Sequence, residues 1–155
     1  MVSKTLVGRA NFTRTSRVKD LKLCTGGKAM IKAKDLMTKD VKYIQDDATI
    51  KETIIRMKEE GVSSFIVDRK DHDDAYGIIT RKDVVAKVVE TGRDLQYTRV
   101  EEIMTKPLLM VSPGLDIKYV VRLMKMANIR RAPVFDGKEI VGILSNTDII
   151  EALAK

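Results

Sequence analysis

From Met30 onward the apolar positions switch between two periods, and the switches come in the same order twice. "VKYIQ" (41–45) and "LLMVS" (108–112) read as short strands. Thr49 with Glu52 three residues on forms a capping box, and Ile50, Ile54 and Met57 follow it as a helical stripe. In the second passage Asp116 takes the cap position ahead of Ile117, Val121 and Met124. Gly61 and Asn128 close these two helices, being the residue types that best tolerate a left-handed C-cap. Two strands follow each helix, "SSFIV" then "YGIIT" and "APVF" then "EIVGIL", with "FDGK" as a strong hairpin signal. A last helix starts just after a hydroxyl residue, "RKDVVAKVVE" and "NTDIIEALAK". The expected fold is α+β, built from two βαββα units.

The pattern repeats because the sequence does. "DLMTK" (35–39) matches "EIMTK" (102–106) at an offset of 67, which also carries Ile50 onto Ile117, Met57 onto Met124, Gly61 onto Asn128 and Val67 onto Val134. The offset falls to 65 at Gly77 and Gly142, because the first copy has two extra residues in its "DRKDHDDAYG" turn. An insertion confined to a turn is what two copies of one fold show. The copies span 30–92 and 93–155; "TGRDLQYTRV" (91–100) joins them, and Gly92 ends the helix begun at Arg81.

Charge changes the picture only at the front of the chain. The protein carries a net charge of +7. Residues 1–29 hold seven of its basic groups (Lys4, Arg9, Arg14, Arg17, Lys19, Lys22, Lys28) against one acid, Asp20. The remaining residues are nearly neutral, so the basic character belongs to a leader, expected as a poorly ordered arm. Its cations suit phosphate backbones, but Phe12 is its one aromatic, which gives no stacking series. No apolar run approaches a bilayer span and no secretory signal stands at the front. The single cysteine, Cys24, forms no internal disulfide, so a reducing, cytoplasmic setting is the simplest home. One cysteine and one histidine, His72, make no zinc site; the acids around His72 read as a solvated hairpin tip rather than a cation site. There is no Ser-His or Cys-His pair and no ligand cluster, so the expectation is a protein without catalysis and without a metal.

The feature that asks for a function is the echo of "GIITRKD" (77–83) in "GILSNTD" (142–148). Capping accounts for much of it: Thr80 and Ser145 are good N-caps, and Asp83 and Asp148 complement the helix dipole. It accounts less well for the glycine three residues earlier, since a glycine inside a strand often marks a close approach of ligand or backbone. A carboxylate at that place repels a bare phosphate but accepts two hydrogen bonds from a ribose diol. Spacing alone favours the cap, with a nucleoside as the specific alternative.

Taken with the duplicated order of elements, residues 30–155 resemble a tandem pair of cystathionine-beta-synthase (CBS) domains, the regulatory unit called a Bateman module. The resemblance rests on "DLMTKDVKYIQDDATIKETIIRMKEEGVSSFIVDR", "YGIITRKDVV" and "EIMTKPLLMVSPGLDIKYVVRLMKMANIRRAPVFDGKEIVGILSNTDII". It implies two clefts related by pseudo-two-fold symmetry. Thr80 with Asp83, and Ser145 with Asp148, would hold ribose. Arg131, with Arg130 beside it, would meet phosphate, and Arg81 and Lys82 are further phosphate candidates. Ser63 and Ser64 stand in the first copy where the second has Arg130 and Arg131, so the clefts are expected to be unequal, with Arg131 serving the nucleotide on Asp83. The base would rest on Ile44, Val62, Ser64 and Ile66 in one cleft, and on Val111, Ile129 and Pro133 in the other. The four methionines Met37, Met104, Met57 and Met124 are read as packing.

The resemblance therefore implies a ligand-sensing module for AMP, ADP or ATP, with S-adenosylmethionine or a dinucleotide as second choices. Such modules commonly dimerise through their helices, here "IKETIIRM" and "IKYVVRLM", and with no fused catalytic domain the signal would pass to a separate protein. The rival is a nucleic-acid-binding or architectural dimer that works through the basic leader.

Overall fold

The computed structural model describes residues 30–154; the expectation of a basic arm over residues 1–29 lies outside them. In chain order the elements are α1 (Ala33–Leu36), β1 (Tyr43–Ile44), α2 (Ile50–Glu59), β2 (Ser64–Val67), β3 (Gly77–Thr80) and α3 (Arg81–Val84). The last runs on as a π-helical turn, Val85–Val89. The second copy follows with α4 (Val100–Ile103), α5 (Ile117–Met126), β4 (Arg131–Phe135), β5 (Ile140–Ser145) and α6 (Asn146–Leu153). Mixed helices and small sheets make this the α+β fold expected from the repeat.

The first copy forms a three-stranded sheet, β1 parallel to β2 and β2 antiparallel to β3. The second has only the β4–β5 pair, and the expected strand "LLMVS" shrinks to one bridge, Val111 beside Val134. Proline explains the difference. In the first copy the Ile66 N–H donates to Lys42 O at 2.9 Å, but the matching position in the second is Pro133, which has no N–H.

Strand alternation gives the sheets two faces. In the first copy Phe65 and Val67 turn to the helices, joining Ile50, Met57, Ile79, Val84 and Val88 in one core. Ile66 and Ile78, opposite each other across β2 and β3, turn the other way and meet Ile140 of the second copy, with Val41, Leu108 and Phe135 around them. The copies are thus joined sheet to sheet.

The helical stripes differ from expectation by one residue. Ile50, Thr53 and Met57 are buried, as are Ile117, Val120 and Met124, while Ile54 and Val121 are 37% and 41% exposed. Thr53 is admitted to the core because its hydroxyl donates to Thr49 O at 2.8 Å. Of the expected capping box only the Thr49 half forms, accepting the Glu52 N–H at 3.2 Å. The C-caps are as expected: Gly61 and Asn128 have φ of 65° and 53°, and the next N–H of each donates back to Met57 O and Met124 O.

What the repeat does not reveal is that the leading segments cross over. Ile31, Ala33 and Leu36 are buried with Val120, Met124, Val134 and Leu144 of the second copy. Reciprocally, Val100 and Ile103 of α4 complete the core of the first. Backbone bonds fasten each crossing: Ala33 N–H to Leu115 O at 2.9 Å, and Val100 N–H to Ala48 O at 3.0 Å. Thr38 then pairs with Ile143, and Thr105 with Ile78. The packing units therefore straddle the sequence boundary at 92.

These crossings explain the two motif glycines. A Cβ on Gly142 would lie 2.5 Å from Met37 Sδ and 3.0 Å from Thr38 O; on Gly77 it would lie 2.9 Å from Met104 Sδ, with Thr105 O farther off at 3.5 Å. The close approach is by backbone and a methionine of the crossing segment. Gly142→Ala is expected to lower unfolding free energy by about 2 kcal/mol, and Gly77→Ala by less, because a flexible thioether end can yield where a carbonyl does not. Urea melts of the two variants give the comparison.

The two inserted residues also have a task. The lengthened turn brings Asp74 to Lys106 at 2.6 Å, clasping it to the crossing segment, and Lys70 to Asp46 of its own copy at 2.8 Å. The Lys106 ammonium, helped by the Lys70 N–H, holds the Asp74 carboxyl at about 2 against an ordinary 3.8. A carboxyl depressed on folding stabilises above its unfolded pKa and stops doing so as pH falls through its folded one. The clasp should then weaken between about pH 4 and about pH 2, and Lys106→Met should flatten that part of the acid dependence. Urea midpoints on both sides of the window measure it.

Candidate functional site

Both echoed motifs fold locally for one reason. Thr80 and Ser145 end strands in extended backbone and cap the helix that follows, and both capping boxes are complete. Asp83 Oδ2 accepts from the Thr80 N–H at 2.9 Å and from its hydroxyl at 2.6 Å. Asp148 Oδ2 accepts from the Ser145 N–H at 2.8 Å and its hydroxyl at 2.6 Å. Capping is a fact of the structure at both places, and it leaves Oδ1 of each aspartate for other partners.

Those partners differ. Asp148 Oδ1 accepts from the Thr38 hydroxyl at 3.0 Å, a contact 110 residues apart in sequence that exists because the leading segment crosses over. Asp83 Oδ1 pairs with Lys87 Nζ at 3.2 Å, one helical turn on in the same copy.

Asp148 lies in the wall of a cleft of about 270 Å³ between the copies. That volume is near the small end of ligand sites. Val41, Val62, Ile66 and Ile143 are its apolar lining; Asp40, Lys42, Arg131 and Asp148 bring charge, and the rest of the polar lining is hydroxyl residues, Thr38, Ser64 and Ser145 among them. The copies contribute jointly: the second brings Ser145, Asp148 and Arg131, the first brings the floor from β2 and the approach to β1.

Arg131 is the main charge here. Its Nη1 donates to Ser64 Oγ at 2.9 Å, bringing together the two positions that the repeat makes equivalent. Burial pushes the guanidinium below its ordinary 12.5; Asp148 pulls it up, and Arg81 and Arg130 push it further down. Arg81 Nη2 donates to Val62 O at 3.0 Å, and Arg130 is exposed. The sequence reading reserved Arg131 for a nucleotide on Asp83, whereas its guanidinium lines the Asp148 cleft.

Of the other candidates, Val62, Ser64 and Ile66 line the Asp148 cleft together. Ile44 and Val111 do not; each lies in the core of its own copy, 2% and 4% exposed. Ile44 is three residues from cleft-lining Val41, so strand alternation sends it to the opposite face. Ile129 packs half-buried against the second core, Pro133 is buried in β4, and Lys82 is exposed. Thr38, Val41, Lys42, Ile143 and Thr147 line the cleft without having been singled out. For Thr38 the sequence carries a signal, the duplicated Met-Thr-Lys at 37–39 and 104–106.

An acceptor carboxylate and a guanidinium on one cleft, between apolar walls, offer a diol its acceptors, an anion its cation and a flat ring its surface. Comparison with known proteins identifies the family. The model of the CBS domain matches the chain twice, over residues 33–90 and 100–155. The CBS domain-containing protein YhcV of Bacillus subtilis is 31% identical over 120 residues, which cover 77% of this chain and 84% of that protein. An uncharacterized protein of Methanopyrus kandleri is 32% identical over 66% of this chain, and the chain spans about half, 53%, of its length. Among solved structures, the hexameric CBS-CP12 protein from bloom-forming cyanobacteria is 42% identical with a TM-score of 0.74, covering 77% of this chain and 69% of that one. A putative signal-transduction protein with CBS domains from Burkholderia ambifaria is 31% identical with a TM-score of 0.68, over 74% and 83%. Proteins of this kind are typically regulatory and non-catalytic, and bind ligands. With two matched repeats, crossed leading segments and a cleft where the repeats meet, the chain belongs to the CBS-domain family as a tandem CBS pair.

Proposed function

We propose that this pair senses an adenosine nucleotide, AMP, ADP or ATP, in the Asp148 cleft and passes the signal to a separate protein. The observation that carries the reading is the convergence of Asp148, Ser145 and Arg131 with Val62 and Ile66 on one cleft. The ribose hydroxyls donate to the Asp148 carboxylate, taking the place of the Thr38 hydroxyl now 3.0 Å away. The purine lies against Val62 and Ile66, and the phosphates reach Arg131, whose partial burial strengthens attraction for an anion. Because the cleft is made by both copies, filling it favours one packing of the copies over others, which is what a regulatory output requires.

The outer edges of α2 and α5 offer the surface for self-association. Ile54, Ile55, Tyr119 and Val121 are all more than a third exposed there. The hexameric state described for the cyanobacterial CBS-CP12 protein supports assembly of copies as part of this reading.

The test is thermal unfolding with AMP, ADP, ATP, GMP and free phosphate. A ligand bound by the native state stabilises it by about 2.7 kcal/mol at a hundred times its Kd, so the adenine nucleotides should raise Tm by several degrees. No shift with any adenine nucleotide, even at millimolar concentration, sinks the reading.

A further inference from the structure

We propose that the chain pairs with a second copy of itself head to tail, the outer face of α2 in each protomer against the outer face of α5 in the other. This rests on the self-association part of the reading above and adds which faces meet, and why.

The repeat makes α2 and α5 equivalent, and their buried sides are alike: Ile50, Thr53 and Met57 in one, Ile117, Val120 and Met124 in the other. Their outer sides are not. At the offset of 67, Glu52 and Glu59 of α2 answer to Tyr119 and Met126 of α5, and Ile55 answers to Arg122. All six are exposed, Met126 by 83%. Both helices keep a lysine pair, Lys51 with Lys58 and Lys118 with Lys125. The outer face of α2 is therefore neutral, two acids against two lysines, while that of α5 carries three cations and no acid. Lys118 and Arg122 stand over the Tyr119 ring at 4.9 and 5.4 Å, so cations and aromatic surface are presented together.

Apolar side chains give these faces a reason to associate, Ile54 and Ile55 on α2 and Val121 and Met126 on α5. Charge then chooses among the ways in which two copies can meet about a twofold axis. Like against like sets α5 on α5, which brings three cations from each protomer together with no acid on either helix. Setting α2 on α5 instead brings Glu52 and Glu59 to Arg122 and its neighbouring lysines, and the twofold axis makes that contact twice. An acidic protein docked on α5 would satisfy the cations but leave Ile54 and Ile55 of α2 in water. A second copy covers both faces. The first copy of each protomer is then held against the second copy of its partner, so a change of packing between the copies of one chain carries over to the other.

Light scattering and sedimentation of the full chain test the pairing, and charge reversal tests its direction. The wild type should associate into dimers or multiples of them. Arg122→Glu should weaken association at least about tenfold, and adding Glu52→Lys and Glu59→Lys should restore it. With α5 on α5 the same Arg122→Glu would relieve repulsion and tighten association, the opposite sign. Cross-linking gives a second measurement that leaves the charges in place. In a Cys24→Ser background, Ile55→Cys co-expressed with Val121→Cys should be joined by a short bis-maleimide into pairs of the two variants, and neither alone into pairs with itself. Self-joining of either variant alone, tightening by Arg122→Glu, or no joining in an associated protein overturns the head-to-tail proposal while leaving self-association in place. A chain that stays monomeric even at millimolar concentration removes the self-association reading, and the proposal with it; nucleotide binding stands on its own test.

Discussion

Asp148→Ala should weaken AMP binding by about a hundredfold, the equivalent of two charge-assisted hydrogen bonds lost from a half-buried cleft. The same substitution removes an N-cap partner, since Asp148 Oδ2 accepts both the Ser145 N–H and its hydroxyl. A cap of that kind is worth about 1 kcal/mol, so the variant should also melt several degrees lower. The two losses are separable with Asp148→Asn. An asparagine oxygen still accepts from the Ser145 N–H, but its amide presents donors to a diol that itself donates. Asparagine should recover most of the melting temperature and little of the binding, as read by calorimetry beside thermal melts. If it recovers both, Asp148 is a helix cap and nothing more.

Arg131→Met should move the two readouts in opposite directions. The guanidinium is depressed first by its partial burial; Asp148 attracts it in part, while Arg81 and Arg130 repel it, and its side-chain bond is to Ser64. Without ligand it is a strained cation, and a methionine of similar length should raise stability by about 1 kcal/mol. With ligand it is the partner of the phosphate, and AMP affinity should fall about thirtyfold, while adenosine, which has no phosphate, should bind as before. A fall in adenosine affinity of the same size would mean that Arg131 shapes the cleft rather than meeting the phosphate.

How much of this could be read from the chain follows from how far apart in sequence the interacting groups are. The βαββα order is legible, save for the first strand of the second copy, because caps, stripes and turns are local. Thr80 with Asp83, Ser145 with Asp148, Gly61 and Asn128 each act within a few residues of themselves. The stripes slipped by one position because Thr53 is polar in sequence yet satisfied by its own helix, and because Val120 and Val121 are indistinguishable by composition. Ile44 and Val111 read as cleft residues because a short apolar strand does not declare which face is which. The contact of Thr38 with Asp148 could not be read at all. It depends on a crossing made by a four-residue helix, whose buried face, Ala33 and Leu36, is too short to show a period. The charge pair of Lys87 with Asp83 is a local feature, four residues apart on one helix, and only the first copy has a lysine at that spacing.

The crossed leading segments have a consequence for ancestry. A single βαββα unit with its own leader lacks the wall that Ile31, Ala33 and Leu36, or Val100 and Ile103, provide from the opposite copy. Such a unit could bury its core only by exchanging leaders with a second identical chain. Fusing two such units end to end would turn an interlocked pair into one polypeptide while keeping these contacts. Fused halves are also free to differ: Lys87 in the first copy answers to Ala152 in the second, a difference that two identical chains cannot carry.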